Sequence, residues 1–235
     1  MKEGVTIIIP TYKVPEYLYE CIESIKSQII NYEIEIIIGI DNCPETLNHV
    51  KENKEFYDGI KICYFNESLG PYIIKNNLVD VAKYEYILFF DSDDIMNPGM
   101  LDNFYQNIIE HNYVWLKFLN FKKVNGEIKF TTFEWAYGAF GITKSLFNKF
   151  VGFESWICNA DVEFYQRLIF NNYEPFKIEG ISFNRRLHEI NLTIDEQTKL
   201  SSPLRKEYRL LINRRSLNQD WKNPIKIIKT YTNEF

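Results

Sequence analysis

Short apolar runs, separated by segments of helical periodicity, fill the first 110 residues, and no other feature restricts the fold as tightly. Val5-Thr6-Ile7-Ile8-Ile9, Glu35-Ile36-Ile37-Ile38-Gly39-Ile40, Ile60-Lys61-Ile62-Cys63-Tyr64-Phe65 and Tyr86-Ile87-Leu88-Phe89-Phe90 are β-branched or aromatic. The first, second and fourth are almost continuously apolar, as strands covered on both faces must be. Between them, Tyr17, Leu18, Cys21, Ile22 and Ile25 recur on one helical face behind Pro15, whose missing N–H does no harm in a first turn. Pro71 opens a second helix to about Lys83, and Asn97-Pro98 caps a third that reaches about His111. Strands and helices in alternation predict an α/β fold, a doubly wound and mostly parallel sheet.

The second half changes character. From about Tyr113 the strands are aromatic, and Val124-Asn125-Gly126-Glu127 signals a hairpin turn. A smaller mixed β region therefore precedes a helix over 160–170. Residues 199–235 read as a basic amphipathic helical tail, with helices entered at Ser202-Pro203 and Asn223-Pro224. The expected division is 1–112, 113–198 and the tail.

Charge is unevenly spread. The formal net charge is −5, from 27 Lys and Arg against 32 Asp and Glu, and it argues against a generic nucleic-acid coat. From Lys199 onward, however, nine bases face three acids. The tail is open to three readings: docking on the body with its charges solvated, contact with an anionic membrane surface, or contact with nucleic acid. Cys21, Cys43, Cys63 and Cys158 show no paired spacing, so they read as reduced thiols. The apolar run stopped by Pro10 is too short for a secretory leader, and no later run approaches a membrane span. The expected location is cytoplasmic, or peripheral at the inner face of a membrane.

In doubly wound sheets the ligand sits beyond the carboxyl ends of the strands. Those ends here are followed by Pro10-Thr11-Tyr12, by Asp41-Asn42 and by Asp91-Ser92-Asp93-Asp94. Three carboxylates in four positions repel one another, so the last cluster is either a solvated turn or a site for a divalent cation. An EF-hand loop is disfavoured because Ile95 and Met96 stand where it needs an oxygen ligand and a glycine.

These pieces, with Lys75-Asn76 in a helix between them, resemble in order and spacing the family 2 glycosyltransferases of GT-A fold over roughly residues 4–195. The resemblance implies a nucleotide-diphospho-sugar donor, UDP-linked, and a Mn²⁺ or Mg²⁺ ion. It places Pro10, Thr11 and Tyr12 along the nucleoside, Asp41 on the base, and Lys75, Asp91 and Arg186 on the ribose and diphosphate. Asp93, His188 and Asp91 become the metal shell, with His188 in Arg185-Arg186-Leu187-His188-Glu189-Ile190-Asn191-Leu192-Thr193, which is similar to a family segment.

Gly138-Ala139-Phe140-Gly141-Ile142, Trp156 and Asp161-Val162-Glu163-Phe164 resemble the acceptor-side segment, in which the family's Glu-Asp pair opens a helix. Asp161 then matches the general base, while Ala160 replaces the preceding Glu. Trp156 and Asp94 are the acceptor-side candidates. The implied reaction is inverting transfer of a single sugar to a hydroxyl of a surface-glycan or lipid-linked acceptor. A transferase for hydroxylated bases in DNA and a non-catalytic nucleotide-sugar-binding module are the alternatives. Nucleotidyl transfer is disfavoured because no glycine follows the first strand to cradle a triphosphate.

Overall fold

The computed structural model describes residues 4–125 and 127–233. Gly126 of the expected turn lies outside the described residues, as do 1–3 and 234–235. The first half runs β1 (Gly4–Thr11), α1 (Pro15–Lys26), β2 (Glu33–Asp41), α2 (Pro44–Glu52), β3 (Lys61–Phe65), α3 (Pro71–Val81), β4 (Tyr86–Phe89), β5 (Ile95–Met96) and α4 (Met100–Ile108). The second runs β6 (Tyr113–Val124), β7 (Glu127–Thr143), α5 (Lys144–Lys149), α6 (Ala160–Phe170), β8 (Phe176–Lys177), β9 (Phe183–Arg186), α7 (Pro203–Asn218) and β10 (Thr232–Asn233).

All the strands belong to one sheet, in the order β10-β3-β2-β1-β4-β7-β6-β9-β5, with β8 beside β6. β3, β2, β1 and β4 are parallel. β7 then turns antiparallel to β4, and β6 antiparallel to β7. The mixed region expected after Tyr113 is thus the far half of the same sheet.

Alternate residues of each central strand go to opposite cores, which is why these runs are apolar throughout. Ile7 and Ile9 pack with Leu18 and Ile22 of α1 and with Leu101 and Phe104 of α4. Ile8 packs on the other face with Ile74 and Leu78 of α3 and Phe164 of α6. A truncation such as Leu78→Ala, at a fully buried position, costs about 2–5 kcal/mol.

The structure departs from the sequence expectations at three elements. α2 was not anticipated: it buries only Thr46 and Val50, too thin a stripe to read. α4 begins at Met100, after Gly99 in a left-handed conformation, not at Asn97-Pro98. The tail is half helical. Ser202 Oγ accepts the Arg205 amide at 3.2 Å to cap α7, but no helix follows Asn223-Pro224. Ile225, Ile227, Ile228, Thr230 and Thr232 are β-branched and poor helix formers. The segment instead runs extended to β10, which pairs antiparallel with the edge of β3.

Asn77 of α3 clasps this extended segment, donating from Nδ2 to the Ile227 carbonyl at 3.0 Å and accepting the Lys229 amide at 2.8 Å. Lys226 pairs with Asp80, Lys229 with Glu67, and Arg215 with Glu154 and Glu163. These tail charges meet acids of the chain itself, which favours the docked reading of the tail. No helix among the described residues is long and apolar enough to cross a membrane.

Candidate active site

Because β1, β2 and β4 run parallel, their carboxyl ends open on one side. Thr11 and Tyr12, Asp41 and Asp91 to Asp94 therefore line a single cleft of about 1310 Å³. A small-ligand pocket holds about 300–1,000 Å³. This one has room for two substrates.

The end beside β1 and β2 is lined by Thr11, Tyr12 and Asp41 with Val14 and Leu69. Among the described residues Thr11 Oγ1 is buried without a hydrogen-bond partner, while Tyr12 is half exposed. Asp41 accepts the amides of Leu69 at 2.7 Å and Gly70 at 2.9 Å. Gly70 has φ of 76°, a conformation that favours glycine, so the loop can present both amides to one carboxylate. Burial pushes the Asp41 carboxyl above its ordinary range, and the two amides oppose that shift.

Lys75, almost wholly buried in α3, donates to Asp91 Oδ1 at 3.1 Å and to the Gly138 carbonyl at 3.0 Å. Asp93 is held elsewhere: its Oδ2 lies 2.7 Å from His188 Nε2 and accepts Asn191 Nδ2 at 2.8 Å. His188 Nδ1 is buried without a hydrogen-bond partner among the described residues. One carboxylate oxygen beside one imidazole nitrogen would supply two ligands to Mn²⁺, and the carboxylate alone would suit Mg²⁺. Asp91, in the same turn, gives its Oδ1 to Lys75, while its Oδ2 faces the space over Gly138. Among the described residues no group of three His, Cys, Asp or Glu side chains is arranged to hold a metal.

Across the cleft, Asp161 stands in the first turn of α6 and caps the Val162 amide at 2.9 Å. Burial raises its pKa above the ordinary carboxylate value; the Tyr72 phenol, which donates to it, the Val162 amide and the Lys75 charge pull it back. A Cβ at Gly138 would stand 3.5 Å from Asp161 Oδ2 and 3.7 Å from Asp91 Oδ2. The absent side chain leaves the two carboxylates facing one open space.

Two expected site residues point away from the cleft, and a third lines it only as a buried anchor. Arg186 was expected on the diphosphate, but it lies on the face of β9 away from the cleft. Its Nε donates to the Asp93 carbonyl at 3.0 Å, its terminal nitrogen pairs with Glu20, and its guanidinium stacks on Tyr17 and Phe121. Strand alternation turns Arg185 into the cleft instead, where it donates to Asn120 and Thr193 at 3.2 Å each.

Trp156 was expected on the acceptor side, yet it stacks on Tyr208 of α7 with centroids 4.5 Å apart, and Ile157 takes the cleft position. Asp94 is 2% exposed and accepts the Arg186 amide at 3.0 Å, so it anchors the loop to β9 and is not displayed to an acceptor. Sequence reading also missed Tyr72 and Arg185. The only sequence signal for Arg185 is that it shares a strand face with the apolar Phe183.

The profile of Glycosyl transferase family 2 matches residues 6–169, more than half of the chain. The chain belongs to this family. Among relatives of this family 2 chain, glycosyltransferase GlyG of Streptococcus pneumoniae is 32% identical over 111 residues, 47% of this chain and 36% of GlyG. The poly(ribitol-phosphate) beta-glucosyltransferase of Bacillus spizizenii is 28% identical over 148 residues, 62% of this chain and 21% of its own. The family 2 chain thus spans about a third or less of these relatives. The crystal structure of S. aureus TarS 1–349 in complex with UDP-GlcNAc superposes with a TM-score of 0.64 at 19% identity, covering 80% of this chain and 60% of that one. That likeness carries the GT-A fold. His188 and α7 lie beyond the matched family segment.

Proposed function

We propose that the chain transfers a single sugar, with inversion, from a nucleotide-diphospho-sugar donor to a hydroxyl of a glycan or lipid-linked acceptor. The observation that carries this reading is the approach of Asp161 and Asp91 over the bare Gly138 backbone. A proton acceptor and the donor end of the cleft share one space there. UDP as the donor nucleotide is supported by the fold shared with TarS, which is seen in complex with UDP-GlcNAc, and the Thr11 hydroxyl, unpartnered among the described residues, would be open to bond it.

Asp161 takes the acceptor proton as that oxygen attacks the anomeric carbon from the face opposite the diphosphate. Its raised pKa brings it closer to a working pH, and Tyr72 and Lys75 keep the carboxylate available. Asp93 and His188 would hold Mn²⁺ or Mg²⁺, which supplies charge stabilisation to a leaving diphosphate. Asn191 orients both residues by touching Asp93 Oδ2 at 2.8 Å and His188 Nε2 at 2.9 Å.

A screen of nucleotide sugars by mass spectrometry, with Mn²⁺ and with Asp93→Ala and Asp161→Ala in parallel, tests the proposal. Donor consumption by the wild type alone supports it. Full turnover by either variant removes the role given to that residue. Lys226 and Lys229 of the tail pair with acids of the chain, so these two cations lend the DNA reading no support.

A further inference from the structure

α7 brings two arginines, one turn apart, to the wall of the cleft. Arg205 and Arg209 both line it, although the helix follows the segment matched by the family. Arg205 is 8% exposed, and its guanidinium meets only neutral oxygens: the Thr198 carbonyl at 2.5 Å, Asn159 Oδ1 at 2.8 Å and the Leu192 carbonyl at 3.1 Å. Asn159 returns a bond from Nδ2 to the Arg205 carbonyl at 3.2 Å.

That exchange is unusual for Asn159. It is the N-cap residue of α6, where asparagine ordinarily caps its own helix, yet its side chain makes no capping bond. The amide is given over to Arg205. The reciprocal pair ties α7 to the start of the helix that carries Asp161.

The result is two cations side by side in the cleft wall. Buried charges are ordinarily matched by an opposite charge, but Arg205 has no carboxylate partner among the described residues. Arg209 is exposed and makes no ion pair there either. Two acids share this lining, and among the described residues neither pairs with these arginines: Glu196 pairs with Lys199 at 2.5 Å, and Asp195 Oδ1 accepts the Gln197 amide at 2.9 Å. Cys158, just before α6, lines the cleft with Arg205, Asp161 and Arg209; burial first, and then these three charges, act on its thiol.

We propose that Arg209, backed by Arg205, is an anion subsite on the acceptor side of the cleft, and that it seats a phosphate carried by the acceptor near its reactive hydroxyl. The inference rests on the glycosyltransferase reading above. A planar guanidinium suits a phosphate because it offers two parallel donors. A polyol phosphate and a lipid-linked phosphate share this chemistry, and the experiment separates them.

Protein saturated with UDP and Mn²⁺, so that the donor end is filled, is titrated calorimetrically with glycerol 3-phosphate, farnesyl phosphate and glycerol. At least one phosphate is expected to bind, and glycerol is not. Arg209→Gln should weaken the phosphate by about tenfold or more, the scale of one charge-assisted hydrogen bond. Its thermal midpoint serves as the fold control, since the side chain is exposed. Stronger binding of glycerol 3-phosphate assigns a polyol phosphate, and stronger binding of farnesyl phosphate a lipid-linked one. Absence of phosphate binding to the wild type, or binding undiminished in the variant, overturns the subsite. The preceding UDP titration tests the donor reading separately.

Discussion

Asp93 Oδ2 and His188 Nε2 stand 2.7 Å apart although 95 residues separate them in the chain. The acid closes the turn after β4, while the imidazole follows β9, which lies beside β6 in the sheet. Asn191 holds the pair by contacting both partners. Asp93→Ala is expected to lower donor turnover in Mn²⁺ by about 10²–10³-fold, the cost of losing one electrostatic stabiliser of developing charge. Asn191→Ala should cost about tenfold, as loss of an outer orienting residue does. Turnover and the Mn²⁺ dependence of UDP binding, measured together, check both.

Asp161→Asn should reduce transfer by about 10²–10⁴-fold with UDP affinity retained, because the base acts on the acceptor and not on the nucleotide. The pH profile gives a finer test. Asp161 works deprotonated, and burial raises its pKa, so the acid limb of kcat/KM should lie above the ordinary carboxylate range. Tyr72 donates to the carboxylate and lowers that pKa. Tyr72→Phe must therefore move the limb to higher pH; movement to lower pH would contradict the assignment.

The two neighbouring arginines of β9 should separate by experiment. Arg186→Met loses the Glu20 pair, the bond to the Asp93 carbonyl and two ring contacts. Arg185→Met instead removes a cation from the cleft wall. The larger fall in thermal midpoint is expected at Arg186, and the larger rise in donor KM at Arg185. The reverse ranking would return Arg186 to the diphosphate.

Asn77→Ala leaves the Ile227 carbonyl and the Lys229 amide without their side-chain partner. The expected cost is about 1–3 kcal/mol, read from denaturant unfolding. Removal of residues 221–235 goes further, because it uncovers the edge of β3 that β10 now pairs. An open edge invites strand pairing between copies, so light scattering should report association of the shortened chain.

Much of this site is legible in the chain because strand ends are local features. A continuous apolar run states that a strand is buried on both faces, and the polar residue that ends it must lie at the rim. Thr11, Asp41 and the Asp91 to Asp94 turn follow from that rule alone. The start of α6 at Ala160 is also local, since an acid in the first turn followed by apolar residues at helical spacing marks a helix N-terminus.

Which way a side chain points is not local. Arg185 and Arg186 have the same chemistry, and only the seating of β9 between β6 and β5 sends one into the cleft and the other onto Tyr17. Trp156 was drawn away by Tyr208, and the residues after Pro224 by the vacant edge of β3. The sequence determined the alternating elements and the acids at their ends, because periodicity and charge are carried by neighbours along the chain. The tertiary structure decided which of those acids meets Lys75, His188 or Tyr72, because that depends on elements joined only through the sheet.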